Sequence, residues 1–223
     1  MFHIPEHSSA VGTLAWALGT FEDRIALSTA FGPGGIVLMH LAARLKPGVK
    51  VLFIDTGFHF DETLAMVTRV QSRLDVDIQT IKPKLGVHEQ NKRYGNELPV
   101  LNPTKCCQMR KVDPTGEMLN GLDAWVTALR RDQSSQRAGT CAIENKVING
   151  RDIVKINPLV GWTRKEVWRH IFEHALPYNT LHDNGYLSVG CRPCTTVSTD
   201  PNDERSGRWT GHKKTECGLH TAF

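Results

Sequence analysis

No stretch of this 223-residue sequence approaches the roughly 20 consecutive apolar residues that a membrane-spanning helix needs. The opening Met1-Phe2-His3-Ile4-Pro5-Glu6-His7 lacks a basic segment followed by an apolar run, so no secretory signal is read there. No large excess of one charge exists: 27 Lys plus Arg face 23 Asp plus Glu, a net +4. That mild bias favours anionic ligands and does not by itself argue for nucleic acid. Neither G-x-x-x-x-G-K-[ST] nor G-x-G-x-x-G occurs, which removes a Walker A loop and a dinucleotide fingerprint. Internal repeats and a linker-like boundary are missing as well. The expectation is therefore one cytoplasmic domain spanning residues 1–223, in a compartment where disulfides are rare.

What the sequence does have is six cysteines in a legible layout. Cys106 and Cys107 are adjacent, Cys191 and Cys194 form a C-x-x-C, and Cys217 stands alone in Glu216-Cys217-Gly218-Leu219-His220. The two pairs supply four thiolates for a metal or iron–sulfur site, and Cys217 is left free to act as a nucleophile. Zinc held by four cysteines stays open at this point, although adjacent cysteines suit tetrahedral zinc poorly. Cys141 reads as a bystander thiol.

The order of elements predicts an α/β fold. A strand over Arg24–Thr29 leads into the turn Ala30-Phe31-Gly32-Pro33-Gly34-Gly35 and a helix over Ile36–Leu45. A strand over Val49–Asp55, a helix over Asp61–Leu74 and a strand over Val76–Ile81 follow. This is the grammar of a doubly wound, mostly parallel sheet. An N-terminal helical segment is expected over residues 1–20. Further on, a helix opens at the cysteine pair and runs to Leu119, and a strand covers Ala124–Leu129. A hairpin turns at Asn149-Gly150, and Thr163 and Glu166 have capping-box spacing. Residues 195–223 read as a mobile tail whose order depends on docking, a metal or a ligand.

The glycine turn after the first strand can cradle an anion with backbone N–H groups at a helix N-terminus. Packing alone could also explain its glycines. Asp55-Thr56-Gly57 ends the second strand beside it, at the carboxyl edge where ligands bind in such sheets.

The blocks Ser28-Thr29-Ala30-Phe31-Gly32-Pro33-Gly34-Gly35, Asp55-Thr56-Gly57-Phe58-His59-Phe60, Lys105-Cys106-Cys107-Gln108-Met109-Arg110-Lys111, Arg130-Arg131-Asp132-Gln133, Gly190-Cys191-Arg192-Pro193-Cys194, Arg205-Ser206-Gly207-Arg208-Trp209 and Glu216-Cys217-Gly218-Leu219-His220 come in one order. Together they resemble the assimilatory adenylyl-sulfate reductases, the iron–sulfur branch of the phosphoadenylyl/adenylyl-sulfate reductases. The resemblance implies an adenine-nucleotide alpha-hydrolase-like sheet with a C-terminal tail carrying the catalytic Cys. It implies thioredoxin-dependent reduction of adenosine 5′-phosphosulfate to sulfite and AMP, in sulfate assimilation and cysteine biosynthesis. It makes Cys106, Cys107, Cys191 and Cys194 ligands of a 4Fe–4S cluster and Cys217 the nucleophile, with Lys111, Arg205, Arg208 and His220 as further catalytic groups. It assigns substrate binding to Ser28, Thr29, Phe31, Gly32, Gly34, Gly35, Asp55, Thr56, Gly57, Arg130 and Gln133. A homo-oligomer and a separate thioredoxin donor are implied too, since no thioredoxin-like domain follows His220. The same reaction on the 3′-phosphorylated nucleotide is the nearest alternative. An ATP-using adenylating or thiolating enzyme and a non-enzymatic cluster sensor are the others.

Overall fold

The computed structural model describes residues 9–212 and 214–220. The chain runs α1 (Ala10–Phe21), β1 (Ile25–Thr29), α2 (Pro33–Leu45), β2 (Val49–Ile54), α3 (Asp61–Gln71) and β3 (Val76–Ile81). Three short helices follow, α4 (Val87–Tyr94), α5 (Leu98–Leu101) and α6 (Pro103–Cys107). A π-helical turn over Gln108–Val112 leads into α7 (Asp113–Met118). Then come β4 (Ala124–Val126), β5 (Ile143–Ile148), β6 (Arg151–Ile156) and α8 (Arg164–Glu173).

The six strands form one sheet in the order β3-β2-β1-β4-β6-β5. β1 pairs in parallel with β2 on one side and β4 on the other, and only the β5–β6 pairing is antiparallel. The α/β, mostly parallel class is thus as expected. Strand alternation divides the core. Ile25 and Leu27 of β1, with Ala124 and Val126 of β4, pack into one cluster with α1, α2 and α8. Ala26 and Trp125, on the other face, join Leu119, Leu122, Ile148 and Ile153. Burial of both faces is what a parallel sheet requires. Because β1 has later strands on both sides, the order reverses between β1 and β4, which opens a crevice at their carboxyl ends.

Several boundaries differ from expectation for local reasons. α2 starts at Pro33, not Ile36, because proline suits a first helical position, so Gly34 and Gly35 lie inside the first turn. The cysteine pair closes α6 rather than opening a helix: Asn102 caps that helix by accepting the Lys105 N–H at 3.0 Å. Beyond it Pro114 has no N–H to donate and its ring would crowd the carbonyl four residues back, so the helix widens into the π turn. The Asn149-Gly150 hairpin is present, with φ of 53° and 73°, and the Thr163–Glu166 capping box forms in both directions. Among the described residues, the segment from 195 onward has no long element. A bridge between Thr195 and Arg208 and the bonds Thr196 N to Gly207 O and Trp209 N to Cys194 O hold it in place.

Candidate active site

A cavity of about 230 Å³ sits at the crevice between β1 and β4. One wall is the N-terminus of α2. Gly32 caps the helix through its carbonyl, which accepts the Ile36 N–H at 3.1 Å. The N–H groups of Gly34 and Gly35 have no intrahelical acceptor, so this end attracts an anion. Space is tight there: a Cβ on Gly35 would fall 2.7 Å from Thr29 Oγ1, which already accepts the Phe31 N–H at 2.9 Å. Packing and anion approach thus both call for glycine.

The four paired cysteines meet at another side of the site. Cys106, Cys107, Cys191 and Cys194 are buried and unbonded to one another. Cys107, Cys191 and Cys194 pack with Trp209, and Phe58 closes the group. Burial and then the neighbouring sulfurs push the Cys106 thiol up to about 11, and Cys194 is raised for the same reasons. Several thiols forced together in an apolar pocket resist ionising unless a cation receives them. Donors surround them: the Thr56 hydroxyl is 3.3 Å from Cys191 Sγ. The Trp209 indole N–H and the Arg110 Nη2 are buried with no hydrogen-bond partner among the described residues. Four convergent thiols, unpaired N–H donors and nearby cations fit a metal–sulfur group held by cysteine.

The tail brings Cys217 between these two regions. Its thiol takes a hydrogen bond from Cys107, and this lowers its pKa well below the ordinary thiol range. Burial opposes the shift, while the Lys111 ammonium, the Leu219 backbone N–H and Arg208 reinforce it. Cys107 is correspondingly pushed up. Burial works against the Lys111 charge, yet Cys191, Cys217 and Cys107 hold its pKa above the usual lysine value. Arg208 lies over the Trp209 ring at 4.6 Å and bonds the Cys194 carbonyl at 3.3 Å. Gly190 makes room for it, since a Cβ there would stand 2.2 Å from Arg208 Nη2.

The cavity wall brings together most of the residues singled out by sequence. Ser28, Thr29, Gly32, Gly34, Gly35 and Thr56 line it, as do Lys111, Arg130, Gln133, Arg205, Arg208 and Cys217. Phe31, Asp55 and Gly57 are not among the lining residues. Phe31 is buried against Phe53 with ring centroids 4.8 Å apart, and Asp55 Oδ1 accepts the Gly57 N–H at 2.9 Å to shape the turn after β2. Arg130 is committed to protein carboxylates, pairing with Asp132 at 2.9 Å and Glu204 at 2.6 Å. Gln133 Oε1 accepts from the Arg130 N–H and from Arg137. His220 ends the last 3-10 turn, and its side chain, like all of Lys213, lies outside the described residues.

Sequence reasoning gave no role to Arg137, Glu204, Glu216, Trp209 or His59. Glu216, Trp209 and His59 lie inside the motif blocks, but Arg137 pairs with a residue 79 positions away and carries no local signal. His59 lines the cavity, is 5% exposed, and has its Nε2 2.9 Å from the Ile54 carbonyl. That bond must be donated by Nε2, which leaves Nδ1 as a buried acceptor without a partner among the described residues. Burial lowers the pKa of His59.

The chain is similar to known proteins over most of its length. Residues 24–197 match the phosphoadenosine phosphosulfate reductase domain. An adenosine 5′-phosphosulfate reductase of Geobacillus sp. (strain WCH70) is 45% identical over 98% of this chain and 92% of its own. Adenosine 5′-phosphosulfate reductase 2 of Bacillus subtilis (strain 168) is 44% identical, over 93% and 87%. Among solved structures, a phosphoadenylyl-sulfate reductase from Candida auris in complex with phosphate superposes with a TM-score of 0.74. It is 34% identical and covers 85% of this chain and 91% of its own. An FMN adenylyltransferase of Candida glabrata, 14% identical with a TM-score of 0.61, shares the fold. With its sheet order, its glycine-opened helix and relatives covering nearly its whole length, the chain belongs to the phosphoadenosine phosphosulfate reductase domain family.

Proposed function

We propose that this chain is a thioredoxin-dependent oxidoreductase that converts adenosine 5′-phosphosulfate to sulfite and AMP in assimilatory sulfate reduction. One juxtaposition carries the reading: Cys217 and the N-terminus of α2 line the same cavity as Lys111, Arg205 and Arg208. The nucleotide phosphate binds at Gly34 and Gly35, as an anion does at a helix N-terminus. Lys111 and Arg208 neutralise the sulfonate as the nucleophile approaches.

The Cys217 thiolate attacks the sulfate sulfur. The sulfur–oxygen bond to the phosphate breaks, and AMP departs with the bridging oxygen. The enzyme is left with a Cys217 thiosulfonate. A thiolate of thioredoxin then attacks Cys217 Sγ and expels sulfite, and its second thiol resolves the mixed disulfide, supplying two electrons in all. The tail from residue 195, in its described part, serves as a mobile catalytic segment that docks for the first step and yields Cys217 to the donor in the second, while 213 and 221–223 of the expected 195–223 tail lie outside the described residues. His220 belongs to the same catalytic set.

Cys106, Cys107, Cys191 and Cys194 would hold a 4Fe–4S cluster, which when bound supplies a clamp across the fold and a fixed local field. Once Cys107 serves as a ligand its thiol proton is gone. Lys111, the Leu219 N–H and Arg208 are then the groups that favour the Cys217 thiolate against burial. Six unpaired cysteines suit a reducing cytoplasm, and no helix among the described residues is long and apolar enough to cross a membrane. Family resemblance supports a homo-oligomer.

Relatives named for the 5′-phosphosulfate, at 44–45% identity, favour that substrate over its 3′-phosphorylated analogue. The test is sulfite release by anaerobically purified protein with thioredoxin and each nucleotide in turn, with iron and sulfide determined on the same sample. Activity on the 5′-phosphosulfate that vanishes in Cys217→Ser supports the reading. Turnover only of the 3′-phosphorylated form moves the substrate, and no sulfite from either with four irons bound sinks the reductase reading.

A further inference from the structure

Away from the cavity, α8 packs across α2 and brings three histidines together. His40 comes from α2, His170 from the last turn of α8, and His174 caps that helix. The rings are in mutual contact, with centroids 5.1 Å apart for His40 and His170, 4.7 Å for His40 and His174, and 4.4 Å for His170 and His174. None of the three lines the cavity. One ring nitrogen from each lies within 4.8 Å of the other two.

Two bland accounts compete with a ligand site. The first is aromatic packing, since Trp162 meets His170 edge-on at 5.7 Å. Yet His40 and His170 are partly buried and His174 is exposed, so the rings sit at a surface and are not core filling. The second is a simple hydrogen bond, His40 Nδ1 to His170 Nε2 at 2.9 Å. It engages two of the rings and gives no reason for the convergence of His174. A single divalent cation accounts for all three.

The dimensions suit a transition metal. Zinc binds imidazole nitrogen at about 2.0–2.1 Å, which places tetrahedral ligand nitrogens about 3.4 Å apart. The shared proton between His40 and His170 holds two lone-pair positions close to that separation, and a cation would take the place of the proton. His170 and His174 are spaced i, i+4, the helical spacing that sets two imidazoles on one ion. Neighbouring charge is mixed. Arg44 on α2 opposes a cation, while Glu173 and the C-terminal carbonyls of α8 favour it. Burial first, and then the other two rings, disfavour the protonated form of His40. Neutral imidazole is the form that ligates.

We propose that His40, His170 and His174 form a surface site for a zinc-type divalent metal, with solvent in the fourth position. The ion would tie α8 to α2, the helix whose N-terminus opens the anion site. It would be independent of the cysteine group and of the reaction at Cys217.

The test adds zinc chloride to the cluster-loaded wild type and to His174→Asn, which keeps a good helix-capping side chain at an exposed position. After desalting, metal analysis should find one more zinc per chain in the wild type, with a melting temperature raised by several degrees only there. Zinc taken by cysteine is common to both proteins and cancels. Equal zinc content in the two would overturn the site. Should the variant not fold, imidazole resonances of the wild type decide: movement of three histidines at one added equivalent supports the site, and no movement overturns it.

Discussion

The Glu216 carboxylate receives a two-pronged ion pair from Arg137, with Nε to Oε1 at 2.9 Å and Nη2 to Oε2 at 2.7 Å. Arg205 adds a third contact at 3.3 Å, and Ser134 donates to the same carboxylate at 3.2 Å. The pair joins the loop after β4 to the residue directly before Cys217. A buried fork-to-carboxylate contact, strong in geometry and costly to leave half made, thus anchors the tail beside the nucleophile, in addition to the Arg130–Glu204 pair.

Glu216→Gln should loosen the tail. Two buried guanidinium groups lose their carboxylate, and breaking such a pair costs about 3 kcal/mol, on the order of a hundredfold in the docked population. Limited proteolysis should cut near the C-terminus far faster in the variant, with sulfite release falling in step. Unchanged cleavage would mean that the Arg130–Glu204 pair and the packing of Trp209 on the cysteine group hold the tail without Glu216.

The same pair predicts the effect of acid. Burial raises the proton affinity of Glu216, but Arg137 and Arg205 outweigh it and hold the pKa below the ordinary glutamate value. A depressed carboxylate contributes its stability fully above the unfolded value of about 4.3 and loses it as pH falls through the lower folded value. Tail docking, followed by hydrogen exchange around Trp209, should be level from neutral pH to about 5 and weaken below about 4.5. Glu216→Gln should lack that acid step.

Gly35→Ala places a methyl group 2.7 Å from Thr29 Oγ1. Overpacking of this kind costs about 1–3 kcal/mol and displaces the first turn of α2. Nucleotide affinity should drop about tenfold or more by titration. Adding Thr29→Ala removes the obstructing oxygen and should recover part of the loss. A double variant no better than Gly35→Ala would point to an obstruction other than Thr29.

Gly190→Ala should act on Arg208 alone. The new methyl occupies the place of the guanidinium, but the far end of a flexible side chain can move, so stability should change by less than about 1 kcal/mol. Sulfite release should fall about ten- to a hundredfold while iron content stays level. A loss of iron would show that Gly190, the residue directly before Cys191, acts through the metal site.

Replacing Cys194 by Ser should leave iron content well below that of the wild type. The same substitution should free the tail to protease, because the Cys194 side chain packs against the Trp209 ring. Retained iron with a protected tail would argue that three cysteines suffice.

Residue order alone determined a good deal of this protein. Arg24 to Thr29 and Val49 to Asp55 could be read as strands around a glycine turn and a helix because alternation, proline and glycine act locally, although the structure opens that helix at Pro33 and takes Gly34 and Gly35 into it. The grouping of Cys106, Cys107, Cys191 and Cys194 was legible as chemistry, since four thiols in two pairs have few uses. Only the tertiary structure decided what depends on distant partners. It turned Phe31 into the core, closed the Asp55 side chain onto Gly57, and spent the charge of Arg130 on Asp132 and Glu204. It also matched Arg137 to Glu216 and His40 to His170 across 79 and 130 residues. Charge pairing and ring contact depend on separations of a few ångströms in space, and only the packing of α2, α8 and the tail on the sheet brings such residues that close.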